Sequence, residues 1–123
     1  MYDFTGRNVL VVGASRAGIG AAIARAFKQA GASVAITGIE EIPAPEDQGQ
    51  FPYHQLDVTD GAAITTLAGK TPKLDILING AAITARGEEM APALFEKVVD
   101  VNLHGTFRMA EVFTAILRVR ADV

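Results

Sequence analysis

Val9-Leu10-Val11-Val12-Gly13-Ala14-Ser15-Arg16-Ala17-Gly18-Ile19-Gly20 decides how the rest of the chain is read. Consecutive aliphatic residues ending in glycine mark a strand buried on both faces, as in a parallel sheet. From Ile19 the apolar spacing becomes helical. Ile19, Ile23, Ala26, Phe27 and Ala30 fall on one face, Arg25, Lys28 and Gln29 fall elsewhere, and Gly31 closes the segment. The strand thus passes to an amphipathic helix across a glycine-rich turn, where unpaired backbone N–H groups and the helix dipole favour an anion. Glycines let that anion approach the backbone, which makes Gly13, Ser15, Arg16, Gly18, Ile19 and Gly20 candidate diphosphate-binding residues.

Downstream the alternation continues. Ser33 to Thr37 is a second apolar strand, and Ile39 to Gln50, with Pro43, Pro45 and several acids, reads as an exposed loop. Phe51 to Leu56 is a third strand, and Asp57-Val58-Thr59-Asp60 supplies a turn and a helix cap. Ile64, Leu67 and Ala68 form a short helical stripe ended by Gly69 and Pro72, and Leu74 to Ile78 is a fourth buried strand running into Asn79-Gly80. A helix is expected from about Pro92 to Asp100 and another from about Leu103 to Leu117. The last one carries apolar residues on more than one stripe, so it should pack on two neighbours, with room for a second subunit as one of them.

Strands alternating with helices imply right-handed crossovers and an α/β fold: a Rossmann-like doubly wound parallel sheet in three αβα layers, strand order 3-2-1-4. Ligands of such sheets bind beyond the C-terminal strand ends where the order reverses, which places Gly13, Gly38, Asp57 and Asn79 around one crevice.

The totals narrow the classes further. A length of 123 residues fits one domain, 1–123, and an apolar half with only a fifth charged describes an ordered globular chain. Eleven basic against fourteen acidic side chains give a net charge of −3, with no Lys/Arg run to follow nucleic acid or an anionic membrane. Cysteine is absent, and His54 and His104 stand far apart, so no metal is expected. No basic stretch leads into an apolar one at the start, and charges interrupt every apolar run; the reading is a cytoplasmic protein.

Gly13 and Gly18 have the spacing that opens a nucleotide-triphosphate loop, but Ile19 and Gly20 occupy the lysine and Ser/Thr positions that such a loop requires. The G-x-G-x-x-G fingerprint fails at Ile23. A phospho-acceptor receiver would use Asp57, yet Gly13 stands where its acidic metal ligands should gather.

The segments together resemble the short-chain dehydrogenase/reductase family, whose glycine turn reads T-G-x-x-x-G-x-G. Aligned from the helix, Gly18 and Gly20 match while Ala14 and Gly13 replace the first glycine and the threonine; aligned on Gly13, the turn is one residue longer. Asp57-Val58, Leu74 to Asn79 leading into Asn79-Gly80-Ala81-Ala82, and Val101-Asn102-Leu103-x-Gly105 follow in the family order. The resemblance implies that Asp57 and Val58 meet adenine, that Asn79, Gly80 and Ala81 support strand and cofactor, and that Asn102 holds a water in a proton relay. It also implies a dinucleotide cofactor and hydride transfer between nicotinamide and a small carbonyl or alcohol substrate.

An acid at position 38 would favour NAD and an arginine at 39 would grip the 2′-phosphate of NADP; Gly38 and Ile39 stand there instead. Arg16 suits a 2′-phosphate and Glu40 and Glu41 oppose one, which leaves NAD and NADP both open. The family's Y-x-x-x-K pair is missing, since Gly6 follows Tyr2 and Asp57 follows Tyr53 at that spacing. The resemblance therefore implies a truncated fold supplying the dinucleotide-binding part, with the catalytic serine, tyrosine and lysine elsewhere. The alternative is a non-catalytic nucleotide-binding or interaction module. An unpaired outer edge on the fourth strand and an apolar last helix predict a homo-oligomer or a complementary chain.

Overall fold

The computed structural model describes residues 2–83 and 91–121, and side chains as far as residue 117. Strand β1 (Asn8–Val12) is the centre of the molecule. Val9, Leu10, Val11 and Val12 are at most 3% exposed. Leu10 and Val12 enter one apolar cluster and Val9 and Val11 the other, which is the period-two alternation of a strand covered on both faces. Each such side chain contributes about 1.5–3 kcal/mol relative to exposure.

Around it lie β2 (Ser33–Gly38), β3 (Tyr53–Gln55) and β4 (Ile76–Asn79). The four strands form one parallel sheet in the order 3-2-1-4. Register sets Val11 beside Ile36 and Ile78, so all the strand C-termini face the same way. Phe51 and Leu56, expected inside β3, are buried just outside it.

Helix α1 (Ile19–Gln29) covers one face, joining Val9, Val11 and Ile36 through Ala24, Ile23 and Phe27. Its expected stripe needs correction: Gly20, Ala21 and Ala24 are the buried residues, whereas Ile19 and Ala26 are exposed. The helix approaches the sheet too closely at its start for larger side chains to fit beneath it. Phe4 completes this face edge-on to Phe27, ring centroids 5.0 Å apart.

The opposite face carries α2 (Gly61–Gly69), capped by Asp60, whose carboxylate accepts from the Ala63 amide at 3.1 Å. Ile64 and Leu67 pack there with Leu74, Met109 and Phe113. The last two come from α4 (Thr106–Ala121), which α3 (Pro92–Val99) precedes. The two expected helices are continuous rather than separate: Asp100–Gly105 is a wide π-helical turn joining them.

The connection from Ile39 to Gln50 is not the exposed loop its composition predicts. It contains a 3₁₀ turn (Pro45–Asp47), and Pro43, Ala44 and Asp47 are buried. Among the described residues no helix is long and apolar enough to cross a membrane.

Candidate functional site

A crevice of about 1140 Å³ opens across the C-terminal ends of all four strands. Its floor is built from the β1–α1 turn, Gly38 to Glu40, Asp57 to Thr59 and Gly80 to Ile83, with α3 and the wide turn as the far wall.

Gly13 has φ +81°, and a Cβ there would lie 2.5 Å from the Ala81 nitrogen. A Cβ on Gly20 would lie 2.3 Å from the Gly13 carbonyl oxygen. Only glycine permits this junction of strand, helix and the segment after β4. Gly13 therefore holds the left-handed position at the strand end, and Ala14 to Ala17 make up the turn that follows. That part folds over the β2–β3 connection, where the Ala44 amide donates to the Ser15 carbonyl at 2.8 Å and Arg16 Nη1 to the Ile42 carbonyl at 3.1 Å.

The corner is not unpaired along its whole length, as its sequence suggests. The Gly13 and Ala14 amides donate to the Thr37 carbonyl at 3.1 and 2.8 Å. The donors suited to an anion are the first-turn amides of α1, which have no intrahelical partner. The N-cap residue, Gly18, makes no side-chain capping bond, and no acid stands in the first turn. An added Cβ at Gly18 would face open space, its nearest neighbour being the Arg16 carbonyl at 3.9 Å. Backbone donors, a dipole and a side-chain-free approach thus meet at one point, the arrangement a diphosphate fits.

At β3, Asp57 is exposed at the crevice and Val58 is buried beside it. Asp57 Oδ1 accepts from the Thr59 amide and hydroxyl at 2.9 and 2.7 Å, an Asx-type turn that fixes the carboxylate. At β4, the Gly80 amide donates to the Val12 carbonyl at 2.8 Å, drawing Gly80 and Ala81 against Gly13.

Residues 7–121 match the short chain dehydrogenase family. The chain belongs to that family. Among curated relatives it is 35% identical over 113 residues to 2,3-dihydro-2,3-dihydroxybenzoate dehydrogenase of Escherichia coli (strain K12), covering 87% of this chain and 44% of that protein. It is 30% identical over 121 residues to NAD-dependent glycerol dehydrogenase of Listeria innocua serovar 6a, covering 90% and 47% respectively. The fold matches ligand-free aldohexose dehydrogenase of Thermoplasma acidophilum with a TM-score of 0.80 at 24% identity, over 93% of this chain and 45% of that one. The chain spans about half the length of the curated relatives it matches.

In this short chain dehydrogenase sheet, Gly13, Ser15, Arg16, Gly18, Ile19, Gly20, Gly38, Asp57, Val58, Gly80 and Ala81 all line the crevice. Asn79 does not: it pairs in register with Val12 and is exposed beside the lining. Asn102 also stands back. Its Oδ1 accepts from the Ile83 amide at 2.8 Å and its Nδ2 donates to the Ile83 carbonyl at 2.9 Å, so its amide braces the chain after β4.

Sequence reasoning missed how Glu40 and Tyr53 are held. Ser15 Oγ donates to Glu40 Oε2, and Tyr53 Oη donates to the Glu40 carbonyl at 2.5 Å. The Ser15 hydroxyl chiefly, with a backbone amide, holds the Glu40 carboxyl below the usual carboxylate value. Burial, with the Glu40 charge second, pushes the Tyr53 phenol up. At the far wall, His104 Nδ1 lies 3.5 Å from Asp100 Oδ1, and Arg108, chiefly by hydrogen bonding, holds that carboxyl below its usual value. The pairs Ser15/Glu40 and Tyr53/Glu40 are distant in sequence and leave no spacing signal.

Proposed function

We propose that this chain is the dinucleotide-binding part of an NAD(P)-dependent oxidoreductase, acting on a carbonyl or alcohol substrate, with the groups that move the substrate proton lying outside these residues. The observation that carries this reading is the uncapped start of α1, open at Gly18, at the mouth of the crevice that Asp57 also lines. The dinucleotide would supply the hydride. The chain's own part is to hold it: first-turn amides of α1 for the diphosphate, Asp57 and Val58 for the adenine, and the Gly80–Ala81 backbone for the strand that carries the far half. The Listeria innocua relative's NAD dependence supports the cofactor class.

Calorimetric titration with NADH and NADPH tests it. Heat of binding with at least one nucleotide is the expected result, and none with either would sink the reading. A second reading, a nucleotide-binding module without hydride chemistry, uses the same crevice. It predicts binding without turnover when carbonyl substrates are supplied.

The chain's partner in this reading is a second subunit. Leu103 and Phe107, one turn apart, are 64% and 65% exposed, an apolar face of the kind that subunits cover. Sedimentation should report an assembly larger than the monomer; a clean monomer counts against it.

A further inference from the structure

At the end of the sheet opposite the crevice lies a second cavity, of about 440 Å³, which shares no lining residue with the first. Asn8 and Ser33, the first residues of β1 and β2, line it. It exists because β3 is short. β3 pairs with β2 only from Ile36 to Gly38, so the outer edge of Ser33 to Ala35 has no strand beside it. On that side the Ile36 amide donates to the Pro52 carbonyl and the Gly38 carbonyl accepts from the Leu56 amide. Strand alternation turns the Val34 N–H and C=O the same way. Val34 is 7% exposed, and its N–H is a donor that no strand is placed to use. We propose that this notch binds a small phosphate monoester, with the phosphate at the rim and an apolar body on the floor.

The charges around the notch are of one sign. Lys28 enters from α1, His54 from β3 and Lys73 from the segment after α2. No Asp or Glu is among the described lining residues. The Lys28 ammonium donates to the Gln50 carbonyl at 2.6 Å and to Gln50 Oε1 at 3.2 Å, and it lies 5.1 Å over the Phe51 ring. Those partners fix its position without neutralising it, and a third N–H remains to donate. Lys73 is exposed and makes no ion pair among the described residues. Asp75, two residues on, accepts from the Asn8 amide at 2.8 Å and faces Arg7 at 3.7 Å, so its charge is already balanced.

His54 is the remaining polar partner. Burial, with the Lys70 charge second, holds its imidazole below its ordinary value, so near pH 7 it offers one N–H. A dianion in the notch offsets Lys70 and favours the imidazolium, which donates twice. A phosphate monoester suits this set better than a carboxylate, being mostly dianionic near neutrality with three acceptor oxygens to share among separate ammonium groups. Ala35, Pro52 and Leu74 line the cavity as well, and against them a hydrocarbon or aromatic body fits better than a sugar.

Phenyl phosphate titrated into the full chain, followed through the NMR signals of the His54 imidazole, tests this. Saturable binding with a Kd of about 1 mM or tighter is expected, and the His54 titration should move to higher pH in the bound state. Inorganic phosphate, which lacks the ring, should bind about fivefold more weakly. Lys73→Gln should weaken phenyl phosphate about fivefold, with NADH affinity and melting temperature unchanged. His54 signals that do not respond, a response that Lys73→Gln leaves intact, or equal binding of the two phosphates overturns the assignment. Displacement of phenyl phosphate by NADH also overturns it, by placing the phosphate in the crevice.

Discussion

Arg25 of α1 grips the buried Asp47 carboxylate with hydrogen bonds of 3.1 Å from Nε and 3.0 and 2.9 Å from Nη2. The pair ties the β2–β3 connection to the helix that starts at the crevice, and its members differ in surroundings: the Asp47 side chain is 2% exposed and that of Arg25 40%. Removing either partner therefore has unequal consequences. Arg25→Ala leaves a carboxylate buried without its cation and should destabilise by about 3 kcal/mol. Asp47→Ala leaves a guanidinium that reaches water and should cost about 1–2 kcal/mol. Urea unfolding of the two variants checks the ordering, and equal losses would show that Asp47 reaches solvent when unpaired.

That contact also shows where the sequence stops being legible. Strand order, helix positions and the crevice were readable because each depends on local periodicity: Val9 to Val12 is apolar throughout, and Gly13 marks the turn whatever follows it. The Ile39 to Gln50 segment has the composition of a solvated loop, and it is ordered by partners more than twenty residues away, Arg25 for Asp47 and Ser15 for Glu40. No window of sequence contains both members of either pair. The α1 face is hidden from the sequence for a related reason: Gly20, Ala21 and Ala24 are small, and a hydrophobicity stripe gives weight to Ile19, which faces the crevice instead. The π-helical turn at Asp100–Gly105 has no composition signal at all, so one continuous helical run looked like two.

Gly18 and Gly20 should respond oppositely to the same substitution. Gly20→Ala puts a methyl group 2.3 Å from the Gly13 carbonyl oxygen, a backbone atom that cannot rotate away, and should destabilise by about 1–3 kcal/mol. Gly18→Ala meets nothing closer than 3.9 Å and should change stability by less than about 0.5 kcal/mol. Its methyl group nevertheless projects at the start of α1, so dinucleotide affinity should fall about tenfold. Thermal unfolding and nucleotide titration on both variants separate the effects. Unchanged affinity in Gly18→Ala would place the diphosphate elsewhere.

His54 sets a pH dependence near neutrality. Burial first, and the Lys70 charge second, hold its imidazole below the ordinary value of 6.5. The folded protein therefore binds that proton less readily than the unfolded chain. Stability from this group is complete above pH 6.5, declines as pH falls below it, and levels off once the folded imidazole is protonated. The carboxyls of Asp3, Glu40 and Asp100, all held below their ordinary values, lose their contributions only at lower pH. Urea midpoints should fall between about pH 7.5 and about pH 5.5, and His54→Gln should flatten that interval. A midpoint that rises on acidification would contradict the assignment.

Asn102 provides the sharpest test of how the crevice wall is held. Its amide forms a closed pair of hydrogen bonds with the backbone of Ile83, accepting at 2.8 Å and donating at 2.9 Å, and Ile83 lines the crevice. Asn102→Ala removes both bonds and should destabilise by about 2 kcal/mol. Asn102→Asp keeps the acceptor but turns a carboxylate oxygen toward the Ile83 carbonyl, so it should cost more than Asn102→Ala despite being the closer isostere. As a positioning residue, Asn102 should also affect nucleotide affinity: Kd for NADH rises several-fold in both variants, about 1 kcal/mol or less, because Gly80 to Ile83 lose their brace. If Asn102→Asp is instead the more stable of the two, the amide is not donating to Ile83, and the side chain is available for a role nearer the chemistry.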